Sequence, residues 1–293
     1  MRKTITFLIC ATFLRAAAAH AQSVYSDTYV IPIAGHATGA FGSVYMTDVS
    51  ITNFNNDPLT VQIIVVTQGE NTTDNVFPLT TGSINGSVVV PARNTVVLRD
   101  VLNGFQGQSS TSGALILGGD KPFAVSARLY NAKNGGVGDT VPAVANFFEN
   151  SIGRSDNTAT AYIPGIINNA SFRTNIGFLA ATGSASTDPL TVEVRVRDAS
   201  GNSLGTRLIT TQPGQFTQTQ FSVAAITSTP FDTGSVEFRI LGGSGVVVPY
   251  AAVNDNATGS SQFILGQFPP STSLSGRSFG EMIFRDLFSR ITQ

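Results

Sequence analysis

The sequence has a single cysteine, Cys10, and this residue lies in an apolar run close to the N-terminus. Two basic residues precede the run and small residues follow it, which is the three-part layout of a secretory signal peptide. A membrane-spanning helix needs about 20 apolar residues, whereas this run is about half that length and is interrupted by Arg15. We therefore predict export, with cleavage after Ala21.

Cleavage there would remove the only cysteine. The mature chain could then form no disulfide and could hold neither a thiolate nucleophile nor a cysteine-ligated metal. A small secreted domain would lose the cross-links that usually stabilise it. The 272 residues from 22 to 293 are enough for two domains of ordinary size, each with its own core.

Charge is scarce, since charged residues make up 12% of the sequence. Without the leader the chain keeps 14 basic and 18 acidic residues, and Lys121 and Lys133 are its only lysines. No basic cluster indicates nucleic-acid binding, and no polybasic stretch indicates contact with an anionic membrane. The abundance of Thr, Ser, Asn, Gln and Gly is typical of an extracellular β protein; disordered linkers share this composition.

Catalytic patterns are missing too. His36 would be the only histidine of the mature chain, and the sequence singles out no carboxylate to orient it, so we interpret it as a solvated loop residue. The number of histidines excludes a histidine-rich zinc site. The five glutamates show no recognisable arrangement, and neither a Gly-x-Ser-x-Gly elbow nor a phosphate loop is present. We predict that the protein is not an enzyme.

The chain contains an internal duplication. The Ile-Pro pair at 31–32 recurs at 163–164, and the segment Asp-Pro-Leu-Thr-Val at 57–61 recurs without change at 188–192. The matching segments keep their order, which favours two domains of one fold. The predicted organisation is a signal peptide (1–21), a first β-sandwich domain (22–150), a linker (151–160), a second β-sandwich domain (161–268), and a linker with a C-terminal helix (269–293).

Apolar residues alternate with a period of two in both copies, which predicts β-strands. The segment from Tyr45 to Ile51 and its counterpart from Phe172 to Phe178 are examples. Later in each copy, a Gly-Gly pair at 118–119 or 242–243 predicts a turn between two strands. About seven short strands in a little over a hundred residues are typical of an antiparallel sandwich, although the count alone does not exclude a partly closed barrel.

The Ile-Pro starts, the strand at 45–53, the Pro-Leu-Thr-Val strand and the closing segment 128–131 resemble immunoglobulin-like β-sandwich modules that occur in tandem in exported bacterial proteins. The resemblance implies two tandem immunoglobulin-like, antiparallel, all-β domains and a location outside the cytoplasm. Such modules adhere, space or bind, and the fold by itself fixes no function.

Arg128 and Tyr130 alternate along the closing strand of the first copy, so their side chains share a face. Arg128 could form an ion pair with Asp48, pack on an aromatic ring, or join Asp48 and Tyr130 in a ligand site. The second copy has Asn175 in place of Asp48 and Ala252 near the position of Arg128. Any site built on these residues would exist only in the first domain.

Calcium is the one cofactor that the sequence leaves open. Asp139 and Asp255 follow the last strand of each copy, where the loops of a sandwich gather at one pole. Neither segment has the full spacing of a calcium loop, and a short turn rich in Asn and Asp can satisfy its own backbone groups without a metal.

Two surfaces could meet a partner. Ile64 and Val66 replace the arginines that the second copy has at 195 and 197, so this strand is apolar on both faces and must be covered. The other domain, a terminal segment or another molecule could cover it, and we expect cover within the chain. The predicted C-terminal helix (280–293) has an apolar stripe that would dock on its own domains, on a neighbouring subunit or on a membrane surface. The residues of that stripe are Met282, Ile283, Phe288 and Ile291.

These features predict a non-catalytic protein, secreted or at the cell surface, that mediates adhesion, assembly or structural spacing; the periplasm is another destination. Its partner would be a protein or a glycan at the cell surface, or further copies of itself. A carbohydrate-binding module is the alternative, but tryptophan is absent and most phenylalanines fit core positions. A hydrolase that uses carboxylates or a loop-borne metal comes last.

Overall fold

The computed structural model describes residues 25–68, 83–84, 86–103, 109–134, 137–145, 152–153, 160–182, 188–211, 216–243 and 245–267. The predicted signal peptide and C-terminal helix lie outside these residues, and so do Met282, Ile283, Phe288 and Ile291. The described chain is all-β and its strands pair antiparallel; it has no helix of seven or more residues. None of its described helices could cross a lipid bilayer.

The described residues of the first unit form nine strands, of which two are long. Strand β7 pairs with β3 and β1 through its first half and with β2 and β8 through its second half. The strands are β1 (Ser26–Thr38), β2 (Val44–Thr52), β3 (Leu59–Thr67), β4 (Ser83–Ile84), β5 (Ser87–Val90), β6 (Thr95–Leu98), β7 (Thr111–Asn131), β8 (Val137–Val141) and β9 (Val144–Ala145). Short 3₁₀ turns follow β1 and β7, at Ala40–Gly42 and Ala132–Asn134.

The predicted turn at Gly118–Gly119 is not a turn in the structure. Both glycines are paired within β7, which continues from one sheet into the other. Glycine suits this position because a Cβ at Gly119 would lie 2.8 Å from the carbonyl oxygen of Lys121 and 2.9 Å from the ring of Phe123. The second glycine pair does end a strand, at Gly242.

The second unit forms two separate sheets. One has the order β11-β16-β13-β14, and the other has the order β10-β17-β12-β15 with β18 beside β17. Ile152–Gly153, inside the predicted linker, forms β10 and pairs with Val246–Val247. The strands are β10 (Ile152–Gly153), β11 (Thr160–Asn168), β12 (Phe172–Ala181), β13 (Thr191–Asp198), β14 (Ser203–Thr210), β15 (Phe216–Ser222), β16 (Phe231–Gly242), β17 (Val246–Asp255) and β18 (Ser261–Leu265). Another 3₁₀ turn lies at Val223–Ala225.

Both units share one order of strands, although β1 also pairs with β2 in the first unit. Sheet I has the order β1-β7-β3-β5 in the first unit and β11-β16-β13-β14 in the second, while sheet II has the orders β6-β2-β7-β8 and β15-β12-β17-β18. An immunoglobulin domain joins its strands as ABED and CFG. Here β11 pairs with β16 instead of β12, so the connectivity is different.

Each unit buries a core between its own two sheets, and a third core lies between the units. Sheet I of the first unit packs with its outer face on the outer face of sheet II of the second unit. The third core consists of buried apolar residues from both units: Val30, Ile64, Val66, Ala114, Ile116, Val144, Leu179, Ala181, Phe216 and Val248. The two sandwiches thus form a continuous stack of four sheets.

Polar contacts add to this seam. Gln68, next to the end of β3, forms a bridge with Gln218 of β15, and its side-chain amide donates to the carbonyl of Gln220 at 3.0 Å. Gln218 is fully buried and its amide donates to the hydroxyl of Tyr250. Complete burial raises the pKa of Tyr250 far above its ordinary value, so this hydroxyl stays neutral.

The stack is apolar inside and polar at both ends. Val30, Ile116 and Ile64 are cross-strand neighbours in the third core. Their counterparts by strand pairing on the outer face of the second unit are Tyr162, Glu237 and Arg195. The packing is head to tail, an arrangement that could in principle continue into a filament. The outer face of sheet I thus carries the ion-paired residues Arg195 and Glu237 in the second unit, where the first unit has Ile64 and Ile116.

Candidate functional site

A polar cluster lies on the outer face of sheet II in the first unit, with Asp48 at its centre. Asp48 projects outward from β2, yet the loop that follows β6 buries it. One carboxylate oxygen pairs with the guanidinium of Arg99, and the other accepts the backbone N–H of Asp100 at 2.9 Å. The hydroxyl of Tyr130 lies 3.4 Å from the same oxygen as the Asp100 amide. The carboxylate of Asp48 is thus satisfied from three directions.

The loop at 99–103 is held against β2 by its own backbone. The N–H of Val101 donates to the carbonyl of Thr47 at 2.8 Å, and the N–H of Asn103 donates to the carbonyl of Asp100 at 2.8 Å. Asp100 has a φ of +44°, a left-handed conformation that aspartate tolerates better than most residues. This turn directs the Asp100 side chain back toward β1.

His36 of β1 receives that side chain. Its Nδ1 lies 2.8 Å and 3.0 Å from the two carboxylate oxygens of Asp100. The carboxylate accepts hydrogen bonds, so Nδ1 carries the proton, and Nε2 has a free lone pair in the neutral ring. Nε2 forms no hydrogen bond with any described residue, and about a fifth of the His36 side chain is exposed. The structure therefore supplies the orienting carboxylate that the sequence did not single out.

Arg128 and Tyr130 behave as a stacked pair. Arg128 lies opposite Asp48 in the register of β7 and β2, but the ion pair of Asp48 is made with Arg99 instead. The guanidinium of Arg128 packs over the ring of Tyr130, 5.1 Å from its centroid. Partial burial raises the pKa of Tyr130, and the nearby charges of Asp48 and Asp100 raise it further. Tyr130 is thus a neutral hydrogen-bond donor to Asp48.

The cluster is a chain of paired polar groups that ends at His36. Asp48 is paired with Arg99 and the Asp100 amide, Asp100 faces Nδ1 of His36, and Nε2 of His36 bonds to no described residue. That atom can accept a hydrogen bond from a ligand. In the described part of the chain, no three His, Cys, Asp or Glu side chains are grouped so that they could hold a metal ion. Asn175 and Ala252 occupy the positions of Asp48 and Arg128 in the second unit.

The two aspartates predicted as calcium ligands bind backbone amides. Asp255 accepts the N–H groups of Ala257 at 2.7 Å and Thr258 at 3.3 Å, and the first of these bonds is the main reason that its pKa is lowered. Asp139 lies exposed in β8 and accepts the N–H of Thr140 at 3.1 Å. Calcium at either position stays a prediction.

Ile64 and Val66, the predicted partner surface of β3, are buried in the third core. The second sandwich of the same chain covers them. These two residues are therefore occupied within the chain and offer no surface to another molecule.

No protein-family model matches the sequence, and no curated protein does. Among solved structures, a glycosyl hydrolase family 2 member from Bacteroides cellulosilyticus aligns over 80% of this chain and 27% of its own, at 8% identity and a TM-score of 0.17. The chain thus spans about a quarter of that hydrolase. Pleurotus Ostreatus Lectin in its apo form aligns over 85% of this chain and 80% of its own, at 9% identity and a TM-score of 0.21. Likenesses at this level carry no argument about function.

Proposed function

We propose that the protein is a non-catalytic, exported protein of the cell surface or extracellular matrix, in which two duplicated sandwiches act as one rigid spacer that presents its end faces and loops to a partner. The third core is the observation that carries this proposal. Interfaces between domains are often polar and permit relative motion, whereas a buried apolar interface couples its two sides. A coupled pair of sandwiches is suited to holding two surfaces at a fixed separation.

Within the described residues, the polar cluster lacks the nucleophile of a catalytic triad. A nucleophile–base–orienter system needs a hydroxyl or thiol within hydrogen-bond reach of the base. His36 has its orienter in Asp100, but no described residue bonds to its Nε2. Calcium is the only cofactor that we retain as an option, and the partner is a surface protein or glycan rather than a nucleic acid.

Binding of the labelled mature chain, residues 22–293, to intact cells of the source organism tests the proposal. We expect saturable binding and no release of soluble products from isolated cell envelopes. Asp100→Asn is the matched variant for catalysis because it removes the charge that orients His36. If the wild type released products and Asp100→Asn did not, the protein would be a hydrolase and the spacer proposal would be wrong. If binding to cells were not saturable, the adhesive role would be wrong.

A carbohydrate-binding role is the second candidate, and exposed aromatic rings favour it. Tyr25, Phe41 and Tyr162 are all exposed in the described part of the chain. Strand periodicity predicts most phenylalanines in the core, and the exposure of Phe41 departs from that pattern. Aromatic rings with an open face stack on the apolar faces of sugars.

A further inference from the structure

Phe41 combines exposure with backbone strain. It lies in the 3₁₀ turn Ala40–Gly42 with φ +57° and ψ +24°, and 75% of the residue is exposed. A bulky side chain in the left-handed region costs about 1–3 kcal/mol, and such outliers cluster at functional sites. Little packing offsets this strain, because most of the ring faces solvent. Stability therefore does not explain why phenylalanine occupies this position.

The neighbours of Phe41 come from both units. The guanidinium of Arg173, on β12 of the second unit, lies 5.4 Å from the centroid of the Phe41 ring. Arg173 also donates to Oδ1 of Asn256 at 2.7 Å, and its other terminal nitrogen lies 3.4 Å from the hydroxyl of Tyr45. Tyr45 donates to the carbonyl of Gly259 at 3.2 Å, which ties the turn of the first unit to the 255–260 turn of the second.

A second cation lies beside the same turn. A Cβ at Gly42, which has φ +72°, would lie 2.8 Å from Nζ of Lys133. The ammonium group therefore rests against the residue next to Phe41. Within the described ranges, neither Arg173 nor Lys133 forms an ion pair. Cations without a carboxylate partner beside an open aromatic ring favour an anionic ligand that also has an apolar face.

We propose that this seam between the units binds a uronate residue of an acidic polysaccharide. The C–H face of the sugar stacks on the open side of the Phe41 ring, and its carboxylate bonds to Arg173 and Lys133. The inference rests on the second candidate function, carbohydrate binding, and specifies its site and ligand class. The ligand would contact both units at once, so binding requires the stacked arrangement.

Isothermal titration calorimetry on the mature chain tests the inference with a panel of trisaccharides of galacturonate, mannuronate and glucuronate. We expect at least one to bind, and its methyl-esterified form to bind at least about tenfold more weakly, since esterification removes the charge and keeps the ring. Phe41→Ala and Arg173→Gln should each weaken binding by about tenfold or more, a change of about 1.4 kcal/mol. Arg173→Lys should retain part of the affinity.

Arg239→Gln is the matched control, because Arg239 is an exposed arginine on the opposite end face of the stack. It should bind the uronate like the wild type, and circular dichroism should show that every variant folds. If Arg239→Gln and Arg173→Gln lost equal affinity for the uronate, the attraction would be non-specific and the proposed site would be wrong. If no uronate bound but neutral glycans did, the inference would be overturned and the carbohydrate-binding candidate would stand. If no glycan bound, both the inference and the carbohydrate-binding candidate would be wrong, and the spacer function would remain.

Discussion

At the scale of the residue, the strain at Phe41 makes a prediction about stability. Phe41→Gly should raise the free energy of unfolding by roughly 1 kcal/mol, because glycine adopts positive φ without steric cost and this gain exceeds its larger entropy in the unfolded chain. Phe41→Ala should change stability little, since it shortens the side chain and keeps the strain. Urea denaturation measures both. A lower stability of the glycine variant would mean that ring contacts with Arg173 outweigh the strain.

Tyr130 offers a pH-dependent prediction. Burial, then the charges of Asp48 and Asp100, raise its pKa, so the ionised form is disfavoured in the folded protein. The stability that this residue contributes is fully present below the ordinary tyrosine pKa near 10 and is lost as pH rises through the higher folded value. Asp48→Asn should move the pKa part of the way back.

NMR titration of ring-labelled tyrosine, with Tyr130→Phe to assign the signal, would follow this transition. Asp139→Asn provides the control, because Asp139 is an exposed carboxylate on the neighbouring strand that is not among the charges raising the pKa of Tyr130. An unchanged Tyr130 titration in Asp48→Asn would show that burial alone sets the shift.

The polar cluster shows what sequence reasoning reaches at this scale and what it does not. The shared face of Arg128 and Tyr130, and the neighbourhood of Asp48, follow from strand periodicity. The sequence does not predict Asp100 as the partner of His36, because Asp100 is 64 residues away and its orientation depends on a left-handed turn. The sequence offers only a polar residue shortly after β6, which is a weak signal.

At the scale of the element, β14 is an edge strand whose protection was not evident from the sequence. It pairs with β13 on one side, and the other side is an edge of the sheet. Arg207 lies opposite the buried Val194, so it is on the core-facing side of β14, and its guanidinium packs 4.6 Å from the centroid of the Phe221 ring. An inward-pointing charge on an edge strand opposes pairing with another chain.

Replacement of Arg207 with valine should therefore promote self-association. The variant removes the charge and raises β-propensity at an open edge, so we expect oligomers whose fraction rises with concentration in light scattering. Thr206→Val is the control, because Thr206 lies on the outer side of the same strand opposite Arg195 and its replacement leaves Arg207 in place. Association of equal strength in both variants would point to added hydrophobicity instead of the lost charge.

Local sequence patterns predict that a strand exists more reliably than they predict where it ends. Alternation predicts β2, β3, β12 and β13, all of which the structure contains. Continuity of β7 through Gly118 and Gly119 does not follow, because the same pair of residue types ends β16 in the second unit. Whether glycine bends a strand or terminates it depends on the sheets on either side, which are set by pairing distant in sequence.

At the scale of the whole molecule, the difference between the two copies carries more information than their similarity. A strand that is apolar on both faces in one copy and charged on its outer face in the other predicts that only the first is covered. The sequence could not identify the cover, since that depends on how the second unit packs. Head-to-tail stacking explains both observations: the same face is internal in the first unit and terminal in the second.

A reciprocal exchange between the units tests this stack. Ile64→Arg puts the charge found at Arg195 into the third core, where an unpaired ion costs about 3–5 kcal/mol. Calorimetry should then resolve two unfolding transitions, whereas we expect one for the wild type, because the units lose the interface that couples them. Arg195→Ile, on the exposed end face, should keep the single transition and lose little stability, since ion pairs near the surface contribute about 0–1 kcal/mol. If Ile64→Arg unfolded in one transition with unchanged stability, the third core would not join the sandwiches, and the rigid spacer would have no physical basis.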